Sequence, residues 1–138
     1  MAAKNATSAG FENFNFDLMF GLPNQSLKMA NDDVCQAVSL QPPHISYYQL
    51  TLEPNTLFYA QPPDLPEDDL IWQVFEQGQA KLASANYKQY EVSAYAQQGA
   101  ECEHNLGYWH FGDYIGVGAG AHGKKSLKNA VIRTSKYR

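Results

Sequence analysis

Cysteine is scarce in this sequence. Its two thiols, Cys35 and Cys102, lie far apart, and neither belongs to a C-x-x-C pair. A disulfide framework is therefore not expected, and both thiols should be reduced in a cytoplasmic protein. Long apolar runs are also missing, since no segment approaches the roughly 18 apolar residues of a membrane-spanning helix. Residues 1–10, MAAKNATSAG, have no apolar signal core, so we expect a cytoplasmic protein without a membrane span.

Positive charge is the second scarcity. Ten Lys and Arg face fourteen Asp and Glu, which gives a net charge of −4. This balance disfavours a general nucleic-acid binder or a protein of anionic membrane surfaces. Six of the ten basic residues cluster at 124–138, which we interpret as a solvated end of the chain. With 138 residues, 44% of them hydrophobic, the chain is predicted to form a single α/β domain over 1–138.

Hydrophobic periodicity predicts strands that alternate with helices, the pattern of an α/β fold. The predicted strands are 14–20, 45–52, 90–96 and 114–117, with a further candidate at 131–134. The predicted helices are the end of one at 2–9, one that begins after Ser26, one from Pro66 to Asn86, and a short one at 101–109. Ligands of such folds bind at the carboxyl ends of parallel strands. The residues expected there are Asp17 with Gly21, Gln49 with Thr51, Ser93 with Tyr95, and Gly118–Gly123.

Asp17 lies in an alternating segment, 14–20. Phe14, Phe16, Leu18 and Phe20 share one face, whereas Asn15, Asp17 and Met19 share the other. In a barrel strand the second face points inward, so we expect Asp17 to be buried and to need partners there. The partner of Asp17 could be a ligand or the cation of a structural salt bridge, and the sequence is compatible with both interpretations.

Residues 118–123, GAGAHG, match the pattern G-x-G-x-x-G. A dinucleotide site would need a helix next and an acidic residue about 20 positions on. The following KKSLKNAVIRT has weak helical periodicity and no acid. A loop whose backbone approaches some other ligand is favoured, and a purely structural turn is the alternative.

Residues 104–109, HNLGYW, combine a histidine with aromatic side chains. On the predicted helix His104 and Tyr108 share one face, and Asn105 and Trp109 another. A histidine beside aromatic rings can ligate and stack on a porphyrin, although a structural histidine is the plainer interpretation. The irregular spacing of Cys102, His104 and His110 does not favour zinc.

Several segments together resemble a known family. These are DLMFGLP (17–23), PPHISYYQLTLEPNTLF (42–58), YKQYEVSAYA (87–96), HNLGYW (104–109) and GDYIGVGAGAHG (112–123). They are similar to radical S-adenosylmethionine (SAM) proteins related to oxygen-independent coproporphyrinogen III oxidase, in particular the heme-chaperone branch. The resemblance implies a middle fragment: the C-terminal part of a partial (β/α)6 barrel, with barrel strands five and six near 13–20 and 44–52. Additional strands would follow in a post-barrel extension near 87–138.

The resemblance also implies roles for individual residues. Asp17 and Thr51 match positions that face S-adenosylmethionine, and Gly118, Gly120 and His122 are placed on the same side of the site. His104 lies in the motif linked to heme, with Asn105, Tyr108 and Trp109 beside it, and is a candidate ligand of heme iron. No catalytic residue is assigned.

One departure from the family is decisive for this chain. The CxxxCxxC motif that holds the family's [4Fe–4S] cluster is absent, so the chain alone is not expected to perform radical chemistry. In the intact protein the resemblance implies a [4Fe–4S] cluster, S-adenosylmethionine and heme, with heme-accepting proteins as partners. An oxygen-independent coproporphyrinogen III oxidase and a nucleotide-binding or interaction module are the alternative functions. A strand edge left without its barrel neighbour predicts a homodimer or a covered edge.

Overall fold

The computed structural model describes residues 2–136, which form two compact units divided between Glu101 and Cys102. The assignment of 1–138 to a single domain stays a prediction. None of the helices in the described range is long and apolar enough to cross a membrane.

The first unit is an α/β layer structure. Its elements are α1 (Ala2–Ser8), β1 (Asn15–Phe20), α2 (Leu27–Ser39), β2 (His44–Gln49), α3 (Leu57–Ala60), α4 (Asp68–Ser84), β3 (Lys88–Gln89) and β4 (Ala94–Ala96). The sheet order is β1-β2-β4-β3, with β1 and β2 parallel and the other pairs antiparallel. The parallel pair runs in register from Asn15 opposite His44 to Phe20 opposite Gln49.

The core lies between one face of this sheet and the helices α2 and α4. Ile45 and Tyr47 of β2 are buried there with Phe20 of β1, Val34 of α2 and Leu82 of α4. Burial of each such side chain contributes roughly 1.5–3 kcal/mol. The predicted alternation is therefore confirmed, because Phe16, Leu18 and Phe20 all pack against this core.

Helix α4 approaches the sheet closely at Gly78. A methyl group at this position would lie 2.3 Å from the hydroxyl oxygen of Tyr47. That hydroxyl donates a hydrogen bond to the carbonyl of Val74, one turn earlier in the helix, at 3.1 Å. Glycine at position 78 thus permits a buried tyrosine to hydrogen-bond the helix backbone.

Local sequence signals fix the helix ends as predicted. The Ser26 hydroxyl accepts the N–H of Met29 at 3.2 Å and caps α2. Asn86, with φ +67°, follows the end of α4, and Gly10, with φ +87°, follows the end of α1. Beyond Gly10, the N–H of Phe11 donates to the carbonyl of Ala6 at 3.1 Å.

The third strand differs from the prediction. Residues 90–96 do not form one strand; the chain turns at 90–93, and only Ala94–Ala96 pair, antiparallel to β2 and to the short β3. Ser93 and Tyr95 therefore do not lie at the carboxyl end of a parallel strand, because strand direction is set by distant pairing. The second strand ends at Gln49 instead of residue 52, and α3, capped by Thr56, was not predicted.

The second unit contains α5 (Glu103–Trp109) and a hairpin of β5 (His122–Leu127) and β6 (Ala130–Ser135). The short helix and the strand near 131–134 are confirmed. The strand predicted at 114–117 is wrong: only Tyr114 pairs, in an isolated bridge with Lys124. Residues 122–127 form a strand that periodicity did not predict, and the basic residues up to Lys136 lie on or beside this hairpin. Arg138 lies outside the described residues.

Candidate functional site

Asp17 lies at the middle of β1, on the sheet face opposite the helices. Its side chain is exposed, so the predicted burial is wrong for this structure. Its Oδ1 atom accepts a hydrogen bond from the Asn15 amide at 3.0 Å. Neither of the ion pairs found among the described residues includes Asp17. A neutral amide, not a cation, therefore orients this carboxylate.

A polar network extends from Asn15 into the sheet. The Oδ1 atom of Asn15 lies 2.7 Å from Nδ1 of His44 and also accepts the Ser46 hydroxyl at 3.0 Å. On the other side of the imidazole, Nε2 lies 2.7 Å from the hydroxyl of Tyr90. His44 is only 4% exposed. The sequence analysis missed this network, since the parallel register that places Asn15 beside His44 cannot be deduced from either strand alone.

Burial determines the charge state of His44. Desolvation lowers the pKa of this imidazole below its ordinary value of 6.5, while the negative charges of Asp17, Glu101 and Glu91 oppose the shift. Since burial is the larger effect, His44 is neutral at pH 7. A neutral imidazole donates through one nitrogen and accepts through the other.

Thr51 follows the carboxyl end of β2, and its hydroxyl donates to Glu53 at 2.9 Å. It lines a cleft of about 440 Å³ at the carboxyl ends of the two parallel strands. The cleft walls include Gln49, Trp72 and Phe75. A ligand-sized cleft thus occurs where α/β folds bind ligands. Asp17 is not among its lining residues, so the structure does not bring Asp17 and Thr51 into one cavity.

The glycine loop of the second unit is a tight backbone turn. Gly118 and Gly120 have φ values of +98° and +72°, which L side chains rarely adopt. The N–H of Gly120 donates to the carbonyl of Lys136 at 2.9 Å. Strand β5 follows this loop, where a dinucleotide site would need a helix. The G-x-G-x-x-G match therefore does not indicate a dinucleotide site, in agreement with the sequence analysis. His122, the first residue of β5, is exposed beside this turn.

Helix α5 presents His104, Tyr108 and Trp109 to solvent. The rings of His104 and Tyr108 meet edge to face with centroids 4.8 Å apart, and Tyr108 lies 4.7 Å from Tyr114. Trp109, on another side of the helix, is 56% exposed. Asn105 is half-buried on the same helix. An exposed imidazole flanked by aromatic rings can ligate iron and stack on a planar ligand.

Residues 108–117 form an exposed apolar stretch. Phe111, Ile115 and Val117 are each more than four-fifths exposed, at 83%, 92% and 83%. A neighbouring cleft of about 790 Å³ is lined by Ile115 and Ile132 together with the lysines Lys124, Lys125 and Lys136. Such a surface suits a ligand that combines apolar rings with carboxylates.

No family model matches the chain. Its sequence is 57% identical over 138 residues to the heme chaperone HemW of Escherichia coli strain K12. This match covers 99% of this chain and 36% of that protein. It is 58% identical over 131 residues to HemW of Haemophilus influenzae, covering 95% of this chain and 34% of that protein. It is 39% identical over 112 residues to the mouse mitochondrial radical S-adenosyl methionine domain-containing protein 1, covering 78% of this chain and 25% of that protein. The chain thus spans about a third of the length of the HemW relatives.

The structure is similar to the coproporphyrinogen III oxidase HemN of Escherichia coli, described as a radical SAM enzyme. The TM-score is 0.71, with 88% of this chain and 31% of that chain covered. At 22% identity this likeness concerns the fold alone. The predicted fold class, the C-terminal part of a partial radical SAM barrel, is confirmed.

Proposed function

Since this chain is HemW-like in sequence and has the fold of part of a radical SAM protein, we propose that it is a segment of a heme-handling protein that binds and delivers heme. The similarity to HemW over 99% of the chain carries this proposal. In the intact protein, a [4Fe–4S] cluster and S-adenosylmethionine are the proposed cofactors and heme is the cargo. The chain has two cysteines, so the three-cysteine cluster motif is not in it.

The proposed heme side of the site is α5. His104 is exposed and would ligate the iron through its imidazole, while Tyr108, whose ring meets the imidazole, would lie against the porphyrin. Asn105 and Trp109, on another side of the helix, are the other residues proposed for the heme side. Within the described residues no three His, Cys, Asp or Glu side chains are placed to share a metal ion. Heme needs only one or two protein ligands, because the porphyrin supplies the others.

For S-adenosylmethionine we propose Asp17 and Thr51 as contact residues in the first unit, and Gly118, Gly120 and His122 as contact residues in the second. The exposed carboxylate of Asp17 and the hydroxyl of Thr51 can accept hydrogen bonds from an amino acid or ribose group. The positive φ values of the glycines let the backbone approach a ligand closely. We include a cytoplasmic location and heme-accepting proteins in the proposal.

The outer edge of β1 supports a homodimer as part of this proposal. β1 ends the sheet order and pairs only with β2 among the described residues. An unpaired strand edge can pair with a second copy. Sedimentation of the chain across a concentration series tests this, and a monomer at every concentration would contradict it.

Heme titration tests the proposed cargo. The chain should bind heme with a Soret band typical of histidine ligation, and His104→Ala should lower the affinity about tenfold, since an iron–ligand bond is lost. His110→Ala is the matched control, because His110 is the C-cap residue of the same helix and is also exposed. A spectrum and affinity unchanged in His104→Ala would contradict the assignment of this ligand.

A second candidate is an oxygen-independent coproporphyrinogen III oxidase, which the sequence resemblance leaves as the alternative function. Both candidates share the barrel and its cofactors. Decarboxylation of coproporphyrinogen III by the intact protein would favour the oxidase, and heme transfer without decarboxylation would favour the chaperone.

A further inference from the structure

The sheet face that carries Asp17 has a hydrogen-bonded chain with a defined direction. It runs from the exposed carboxylate of Asp17 through Asn15 and the buried imidazole of His44 to the hydroxyl of Tyr90. The side chains come from β1, β2 and the turn that precedes β4. Neither core helix, α2 or α4, contributes a side chain to this series of hydrogen bonds. The series is therefore separate from the apolar packing that holds the sheet.

The charge of Asp17 determines the orientation of Asn15. A carboxylate only accepts hydrogen bonds, so the amide nitrogen of Asn15 must face Asp17, and its oxygen must face His44 and Ser46. The reverse orientation would set oxygen against oxygen at 3.0 Å from Asp17. The amide therefore has one satisfied orientation.

The orientation of Asn15 in turn determines the tautomer of His44. Since the amide oxygen can only accept, Nδ1 of His44 carries the proton and donates it at 2.7 Å. The neutral ring then has a lone pair on Nε2, which accepts the Tyr90 hydroxyl at 2.7 Å. In this series of hydrogen bonds each donor points toward the carboxylate: Tyr90 donates to His44, His44 to Asn15, and Asn15 to Asp17.

From this geometry we propose that Asn15 and His44 are positioning residues, which hold the exposed Asp17 carboxylate in one orientation for its ligand. The proposal rests on the proposed function, in which Asp17 faces S-adenosylmethionine. An exposed carboxylate would otherwise rotate among its staggered conformers. Fixing it before the ligand arrives lowers the entropy cost of binding, and the rigid anchor for this is the buried His44.

The coupling can be measured on the chain itself by NMR. Three-bond couplings across Cα–Cβ should show a single χ1 conformer for Asp17, and the imidazole ¹⁵N shifts should show His44 protonated at Nδ1. Asn15→Leu, at an exposed position that leaves the core intact, should average the Asp17 conformers and release the tautomer. Asp17→Asn should also change the His44 tautomer, since an amide can face Asn15 in either orientation. Glu12→Gln, which removes a charge from an exposed site just before β1, is the matched control.

A pair of substitutions at His44 separates positioning from folding. His44→Asn keeps an N–H donor near the place of Nδ1 and should retain the single Asp17 conformer. His44→Leu keeps a similar volume without a donor and should lose it. Equal averaging in both variants, or a wild-type His44 protonated at Nε2, would overturn the proposal. Circular dichroism confirms that each variant is folded.

The ligand itself is tested in a full-length Escherichia coli HemW in which residues 1–138 replace the matching segment. Asn15→Leu and His44→Leu should weaken S-adenosylmethionine binding by up to about tenfold, because the Asp17 side chain must then be ordered when the ligand binds, and His44→Asn should restore it. If Asp17→Ala weakens binding but Asn15→Leu does not, positioning is wrong and the proposed function stands. If Asp17→Ala leaves the affinity unchanged, the assignment of Asp17 in the proposed function fails, whatever the NMR result.

Discussion

The two units of this chain hold their backbones in different ways. In the first, large side chains do so: Tyr47 and Ile45 are almost fully buried between the sheet and the helices. In the second, missing side chains do so: Gly116 lets the backbone of His122 approach, and Gly123 leaves room for the Thr134 hydroxyl, where a methyl group would collide. Among the described residues, the buried hydrophobic side chains all belong to the first unit, whereas Trp109, Phe111 and Ile115 of the second unit are exposed.

The largest effect on stability is expected in the first unit, where helix α4 approaches the sheet at Gly78. Gly78→Ala should destabilise it by about 1–3 kcal/mol, because the added methyl group would overlap the Tyr47 hydroxyl. Helix propensity alone predicts the opposite, a gain of about 1 kcal/mol. Urea unfolding measures the difference, with exposed Gln73→Ala as the control. A more stable Gly78→Ala protein would mean that the Tyr47 contact is not limiting.

A smaller and more local effect is expected in the second unit. Gly116→Ala would place a methyl group 2.1 Å from the carbonyl oxygen of His122 and should break the bridge between Tyr114 and Lys124. Amide resonances of 112–126 should shift, while those of the first unit stay in place. Gly107→Ala is the control, since nothing lies within 4 Å of the added methyl group there. Shifts throughout the first unit would show that the two units do not respond separately.

The smallest effect is a pH dependence of the first unit. Burial lowers the pKa of His44 in the folded state below 6.5, so the unfolded chain binds the proton more readily. Stability should therefore fall as the pH decreases from about 6.5 toward the lower folded pKa. His44→Asn should remove this component while the rest of the acid dependence persists. Denaturation midpoints from pH 7.5 to 5 provide the measurement, and an unchanged slope in the variant would contradict the assignment.

What the sequence predicts here depends on the range of the interaction. The caps at Ser26 and Asn86 lie within a few residues of the backbone groups that they affect, and both are as expected. Only Ala94–Ala96 of the strand expected at 90–96 form a strand, and this strand runs antiparallel to β2. No local sequence pattern indicates this direction. The His44 network requires the register between β1 and β2, so neither strand alone reveals it. The family resemblance supplied Asp17 but not the side chains of its network, Asn15 and His44, whereas His104 and Tyr108 were expected on one helix face and do meet.

One lysine has a consequence for ligand binding by the second unit. The ammonium group of Lys124, whose side chain is 14% exposed, donates to the carbonyls of Phe111 and Gly112 and contacts Asp113. Asp113 in turn accepts the N–H of Ser126, and these contacts fasten the loop to the hairpin. Acetylation of Lys124 would remove this charge and its contacts, and would thereby loosen the loop that carries Phe111. The position of the exposed apolar side chains at 108–117 would then depend on the charge of Lys124, a residue that also lines the neighbouring cleft.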